Sequence, residues 1–234
     1  ALLSLFVGSM LTVAGYPLIY LFERIFNLVS NSRLIELCDV SNPLIRELEQ
    51  KAPGTFQHSL QVMNMADTVA RAVDANADLV RAGALYHDIG KMNNPLCFIE
   101  NESLMIRDGA PNYHSGLTPE QSAHDIICHV ADGVEIAQKH RLPGIIIDFI
   151  RSHHGTTTTG FFYNRYLQAG GDPAMTGEFR YPGMKPLTKE QIILMLCDSV
   201  EAASRTLTAF TPEAYSTFVE RIVAGKLEEG QFDR

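Results

Sequence analysis

From residue 30 onward, apolar residues recur at intervals of three and four, the spacing of one face of a helix. The stretch NSRLIELCDVSNPLIRELEQKAPG predicts two short helices, interrupted before Pro43 and stopped near Pro53 and Gly54. A longer helix is expected from about Thr55 to Val73. One of its stripes is Phe56, Leu60, Met63, Ala70 and Val73. A second is His58, Val62, Met65 and Val69, so His58 continues an apolar face and should point inward. Asn76 or Asp78 can cap the next helix, whose pattern ends at Gly90. Thr118-Pro119-Glu120-Gln121 is a capping box with Pro at the first helical position, and Thr188-Lys189-Glu190-Gln191 repeats the box for a helix through about Thr206. Between them LPGIIIDFIRSHHG reads as a helix closed by Gly155, and Thr211-Pro212-Glu213 opens a last helix ending near Gly225. Asn93 to Leu117 and Thr156 to Pro186 read as irregular, and loops of that length in a compact domain are usually functional or disordered. No segment shows the alternation of a strand, and the predicted class is all-α.

The N-terminal pattern is different. ALLSLFVGSMLTVAGYPLIYLF carries no charge until Glu23. As a helix this run spans roughly 33 Å, enough to cross a bilayer core, and Tyr16 and Tyr20 stand near its end, where interfacial aromatics gather. It lacks the basic start and small-residue end of a secretory signal. The competing reading is a buried core helix broken by Gly15 and Pro17. The chain opens on Ala1 rather than Met and reads as a piece of a longer protein. The expected division is therefore residues 1–29, the end of a membrane helix with its juxtamembrane segment, and residues 30–234, one helical domain.

Charge narrows the function. The net charge is −8 over 234 residues, which argues against general binding to nucleic acid polymers, because duplex affinity rests on Lys and Arg neutralising phosphates. An anionic substrate would have to be held locally, by metal ions or a few placed basic residues. Cys38, Cys97, Cys128 and Cys197 are widely spaced, form no CxxC pair and fit free thiols in a reducing compartment.

Residues of metal-ligand type fall on five predicted helices: His58, His87, Asp88, His129, His153, His154 and Asp198. In GALYHDIGK, His87 and Asp88 diverge by about 100° on a helix, yet both flank the small Ala84, so Asp88 could bridge two ions while His87 binds one. His124 is a second candidate near His129, on a different and more exposed face. Asp198 shares an apolar stripe with Leu194, Met195, Ala202 and Arg205, and a buried carboxylate must be paired, metal-bound or protonated. Five His and two Asp suit a site for two divalent transition-metal ions. The absence of thiolates from the set argues against a structural zinc site.

The order His58, His87-Asp88, His129, His153-His154, Asp198 resembles the HD phosphohydrolase superfamily, and within it the seven-transmembrane HD family, the PgpH-type cyclic di-AMP phosphodiesterases. The resemblance extends over APGTFQHSLQVMNMA, VRAGALYHDIGKM, HVADGVEIA, IIDFIRSHHGTT, FRYPG and LCDSVEAASRTL, in that order. AGYPLIYLFERIF looks like that family's exit from its last membrane helix. The resemblance implies a cytoplasmic HD-domain bundle on a multi-pass membrane protein and hydrolysis of cyclic di-AMP to linear pApA by a metal-activated hydroxide. By the same resemblance His58, His87, Asp88 and Asp198 would hold one ion, with Asp88 bridging to a second held by His129, His153 and His154. The ions would be iron or manganese. The HVADG block favours His129 over His124. The sibling family that cleaves cyclic di-GMP carries a GYP motif soon after its paired histidines, where this chain has GTTTTGFFY. Lys91, one turn past His87, is placed to touch the scissile phosphate or steady the leaving group, and Asp88 and Lys91 are the expected catalytic pair. Arg205, two turns from Asp198, could reach a second phosphate or a ribose, and Tyr181 could stack on adenine. Other nucleotides, or a degenerate HD module that only binds and signals, are the competing functions; the second would lack a ligand, and none is missing. Oligomeric state is left open by the sequence.

Overall fold

The computed structural model describes residues 1–26, 28–105 and 112–233. Eleven α-helices run through them: α1 Leu2–Phe26, α2 Asn31–Leu37, α3 Pro43–Lys51, α4 Pro53–Ala72, α5 Ala77–Tyr86, α6 Ile99–Met105, α7 Pro119–Lys139, α8 Gly144–Ser152, α9 Gly160–Gln168, α10 Lys189–Ser204 and α11 Pro212–Glu228. Among the described residues the only β pairing is an isolated bridge between Thr158 and Arg180. The all-α expectation holds.

The core forms where α4, α5, α8 and α10 bring their apolar faces together, through Val62, Ala66, Val80, Leu85, Phe149, Ile150 and Leu194 among others. Fully burying a side chain such as Phe149 contributes about 1.5–3 kcal/mol over leaving it in water. The helix starts are those the capping signals mark. Thr118 accepts from the Gln121 amide while the Gln121 side chain returns to the Thr118 amide. At the second box Thr188 accepts from the Gln191 amide, but the Gln191 side chain turns to Leu187 instead. Asn76, rather than Asp78, caps α5.

Four boundaries depart from the sequence pattern. Helix α5 stops at Tyr86, and Ile89–Asn93 forms a separate 3₁₀ turn, so Gly90 does not end a helix. Its role is close approach: a Cβ there would lie 1.9 Å from the His129 carbonyl oxygen, backbone against backbone. Helix α11 continues through Gly225 to Glu228 and is closed by Gly230 at φ +63. The stretch expected to be irregular from Asn93 to Leu117 contains α6 and two 3₁₀ turns, while residues 106–111 lie outside the described residues. The other, Thr156 to Pro186, contains α9, whose Phe162 packs with Ala123 of α7 and Phe179 in a small second core.

Helix α1 runs unbroken through Pro17. Its stretch Leu2–Glu23 has mean hydropathy 1.8 and none of it is buried, which rules out the core-helix reading. By length and composition it is able to cross a membrane.

Replacing Gly90 by Ala should destabilise the domain by about 1–3 kcal/mol, because the clash is with α7 backbone that cannot yield. Gly116→Ala, where a Cβ meets nothing within 4 Å, is the control. Denaturant titration followed by far-UV circular dichroism checks this; equal midpoints for the two variants would contradict it.

Candidate metal centre

Five elements deliver the seven candidate ligands. His58 lies on the inner face of α4, His87 is the C-cap of α5 and Asp88 follows it, His129 sits within α7, His153 is the C-cap of α8 with His154 next, and Asp198 lies on α10. The structure brings all seven together, and all but His154 are nearly inaccessible to solvent. His124 stays outside: it is exposed, with its ring nitrogen 3.5 Å from Cys128 Sγ.

Asp88 is the centre. Its Oδ2 faces His58 Nε2 at 3.5 Å and His87 Nε2 at 3.2 Å, while its Oδ1 faces His129 Nε2 at 3.3 Å and His153 Nε2 at 3.5 Å. Asp198 closes the outer side, with Oδ1 3.0 Å from His58 Nε2 and 3.6 Å from His87 Nε2, and Oδ2 3.7 Å from His154 Nδ1. Ligand atoms of Asp88, His129, His153 and His154 lie within 4.8 Å of one another, as do those of His58, His87 and Asp88. Donors placed about 2.1 Å from one ion stand roughly 3–4 Å apart, so both groups have the spacing of a coordination shell.

The imidazoles are aimed by what their other nitrogens do. His87 Nδ1 donates to the Ala84 carbonyl, His129 Nδ1 to Ile126 and His153 Nδ1 to Ile150, each one turn back. That fixes the orientation of each ring and turns its Nε2 toward Asp88. His58 differs: its Nδ1 donates to the buried Glu201 carboxylate, which Arg205 also holds at 3.3 Å. His154 is held by Tyr181, whose ring stacks on it at 4.2 Å. Its loop is clamped from far away. The buried Gln231 accepts from the Thr156 amide at 3.0 Å and its own amide donates to Thr156 Oγ1. Gly155, at φ +55, makes room for it.

Three atoms test whether a cation belongs here. His87 Nε2 and both Asp88 oxygens are buried and make no well-directed hydrogen bond, Oδ2 having only the Lys91 ammonium at 2.7 Å, and His129 Nε2 and His153 Nε2 point at each other across 3.1 Å. A buried charge left in this condition costs several kcal/mol. Burial opposes ionisation of Asp88, but the charges of His87 and Lys91 outweigh it and hold its carboxyl well below the usual range. Burial, reinforced by His153, pushes the His154 imidazole well below its ordinary value, leaving it neutral as a metal ligand must be. Four carboxylates, Asp88, Asp198, Glu201 and Glu100, converge beside Lys91 and Arg205, and, against its burial, the charge of Asp88 pushes the His87 imidazole up to about 10, so that it carries a proton where a bound divalent cation would take its place. Burial pushes the Cys97 and Cys197 thiols up to about 12, so neither supplies a thiolate. The donor set fits divalent metal.

The remaining candidates are placed as follows. Lys91 Nζ lies 2.7 Å from Asp88 Oδ2 and 2.9 Å from Glu100 Oε1, with the Phe98 ring 4.8 Å away. Arg205 lines the same cleft but pairs with Glu201. The stacking expected of Tyr181 on a base is made instead with His154, because the loop carrying Tyr181 is tied to the histidine turn through the Tyr181 amide and the Thr157 carbonyl. Sequence reasoning missed Glu201, Glu100 and Gln231. Only Glu201 left a signal, three residues after Asp198 on the same inward face.

Comparison with known proteins agrees with this geometry. The family model described as HD domain matches residues 55–203. Two curated relatives are named cyclic-di-AMP phosphodiesterase PgpH. That of Listeria monocytogenes serotype 1/2a (strain 10403S) is 41% identical over 220 residues, 94% of this chain and 30% of the relative. That of Bacillus subtilis (strain 168) is 39% identical over 227 residues, 97% of this chain and 31% of the relative. The chain thus spans about a third of the length of these relatives. The crystal structure of the L. monocytogenes phosphodiesterase PgpH HD domain in complex with cyclic-di-AMP is similar at a TM-score of 0.76 and 40% identity, over 82% of this chain and 86% of that one.

Asp88→Ala should abolish divalent-metal binding, and Glu201→Gln should weaken metal affinity by roughly 10–100-fold through the orientation of His58 while leaving the fold intact. Metal stoichiometry after dialysis against graded chelator measures both. An Asp88→Ala protein that retained two ions per chain would overturn the central role of Asp88.

Proposed function

The chain belongs to the HD-domain family, and from that membership we propose that it is a metal-dependent phosphodiesterase that hydrolyses cyclic di-AMP to linear pApA. The observation that carries the reading is the division of one buried carboxylate, Asp88, between two sets of imidazoles, in a chain about 40% identical to named cyclic-di-AMP phosphodiesterases. In this reading His58, His87, Asp88 and Asp198 hold one ion, and Asp88, His129, His153 and His154 the other. Iron or manganese suits a donor set of imidazole and carboxylate without thiolate. When bound, two such ions supply an activated water at neutral pH and offset the charge that develops on the phosphoryl oxygens.

The chain's own residues do the rest. The Nδ1 anchors on Ala84, Ile126 and Ile150 hold the rings still, so the ligand geometry is present before substrate arrives. Lys91 keeps its ammonium at the edge of the cleft between Asp88 and Glu100, placed for a non-bridging phosphate oxygen. Arg205, on the open side, offers its guanidinium to the second phosphate. Substrate contact through Tyr181 is limited to the ring surface that His154 leaves uncovered. Residues 1–29 are the end of a membrane helix and its juxtamembrane segment, and residues 30–234 a cytoplasmic catalytic domain of a multi-pass membrane protein. The uncovered apolar surface of α1 supports that division.

The test is hydrolysis by purified protein stripped with chelator and reloaded with manganese or ferrous iron, with products separated by chromatography. Cyclic di-AMP should be converted to pApA only after metal is restored, and the reaction should stop at the linear dinucleotide. Protein carrying two ions that cleaves no cyclic dinucleotide would overturn the proposal. Faster cleavage of cyclic di-GMP or a deoxynucleoside triphosphate would assign the site to another nucleotide.

A further inference from the structure

The five imidazoles of the cluster are not held alike. Four of them give a ring nitrogen to a fixed partner, His87, His129 and His153 to backbone carbonyls and His58 to the Glu201 carboxylate. Among the described residues the His154 ring makes no hydrogen bond. Asp198 Oδ2 stands 3.7 Å from its Nδ1, beyond hydrogen-bond reach. It is also the most exposed of the seven ligands, with 24% of its side chain in solvent. Stacking on Tyr181 sets the plane of the ring but not its position along that plane. The place of this imidazole therefore depends on the backbone that carries it.

That backbone is a tight turn. The His154 carbonyl accepts from the Thr157 amide at 3.2 Å and from Thr157 Oγ1 at 2.8 Å, and Gly155 takes φ +55. At the middle of the turn, Thr156 is held by Gln231, whose Oε1 accepts from its amide at 3.0 Å and whose Nε2 donates to its Oγ1 at 3.1 Å. Helix α11 delivers that side chain. Its last turn closes with the Gly230 amide on the Leu227 carbonyl and the Gln231 amide on the Lys226 carbonyl, the closure that reverses a chain at a helix end. Gln231 is 1% exposed, whereas Phe218 is the only side chain that α11 itself buries. A buried amide is costly unless its hydrogen bonds are made, so Gln231 is stable in this place only with Thr156 in its grip. The end of the chain is fastened to the turn behind His154.

We propose that Gln231 is a positioning residue for one of the two ions, the one that Asp88, His129, His153 and His154 would hold. By fixing Thr156 it sets where His154 stands. The other position, formed by His58, His87, Asp88 and Asp198, does not depend on it. The inference rests on the two-metal phosphodiesterase reading and adds that the second position is complete only while the turn after α11 is docked.

Gln231→Met keeps the volume of the side chain and removes its hydrogen bonds; Gln231→Glu keeps acceptors for the Thr156 amide and hydroxyl. Chelator-treated full chain is titrated with manganese, with ions counted by calorimetry and with electron paramagnetic resonance separating a spin-coupled pair from isolated ions. Wild-type protein should bind two. In Gln231→Met one ion should keep its affinity and the other should bind roughly tenfold more weakly, so that at two equivalents the coupled-pair signal gives way to that of single ions. Gln231→Glu should restore the pair. Hydrolysis of cyclic di-AMP by Gln231→Met should fall with the second ion and return at excess manganese. Thr156→Val removes only the hydroxyl half of the clamp; it should shift the second ion the same way by less, and it carries the test if Gln231→Met does not fold. Two ions bound as tightly as in wild type, or both weakened equally, would overturn the positioning role and leave the two-metal reading standing. Wild-type protein that binds fewer than two ions would overturn both.

Discussion

The fold is organised around one costly group, the ionised carboxylate of Asp88. It is 1% exposed, neither oxygen makes a well-directed hydrogen bond, and only the Lys91 ammonium pairs with it directly, at Oδ2. An isolated carboxylate in such a place would take up a proton or unfold its surroundings. Here it is held ionised by the charges of His87 and Lys91 and by imidazoles approaching from both sides. Because its two oxygens face different partners, the positions of α4, α5, α7 and α8 are tied to each other through a single side chain. That is a stronger constraint than apolar packing, which tolerates sliding by a fraction of an ångström. Four imidazoles closing on one buried carboxylate do not.

Local structure makes the convergence possible. Helix α5 ends before Asp88, so the carboxylate leaves the helical path and turns inward, and His87 gives its Nδ1 proton to a last-turn carbonyl that has lost its helical partner. His153 repeats the arrangement at the end of α8. Helix ends are thus used twice to convert backbone carbonyls into anchors for imidazoles. The 3₁₀ turn after Asp88 lies backbone to backbone on α7 at Gly90, next to His129. Gln231, reaching across from the turn after α11, fixes the loop that follows His154. The ligands are therefore held by the backbone and by a further layer of side chains, and their geometry does not wait on metal.

Much of this was legible in the sequence where the physics is local. The stripe of His58, Val62 and Met65 placed His58 inward, and Thr118-Pro119-Glu120-Gln121 marked a helix start to the residue. Asp198 on an apolar face signalled a buried charge needing partners, and His124 read as the outward alternative to His129. What could not be read depends on distance along the chain. Glu201 is defined by a hydrogen bond to a residue 143 positions away, and Gln231 by one 75 positions away. Helices α6 and α9 were hidden for a different reason. IENESLM has too few apolar residues to show a stripe, and GFFYNRYLQ is set among Gly, Pro and aromatic residues that mimic a loop until Phe162 finds Phe179. The end of α5 misled because Gly90 has the residue type of a helix stop but serves a close approach, and the two cannot be told apart without the neighbouring helix.

The acidic balance of the chain and the anionic substrate proposed for it are reconciled by the same arrangement. A phosphodiester approaching a protein of net charge −8 is repelled at long range, so attraction has to be concentrated. The cluster's carboxylates outnumber Lys91 and Arg205, so in the proposed reading it takes divalent cations first and phosphate only once those cations are present. Specificity then cannot come from the charge, which would draw any phosphate alike.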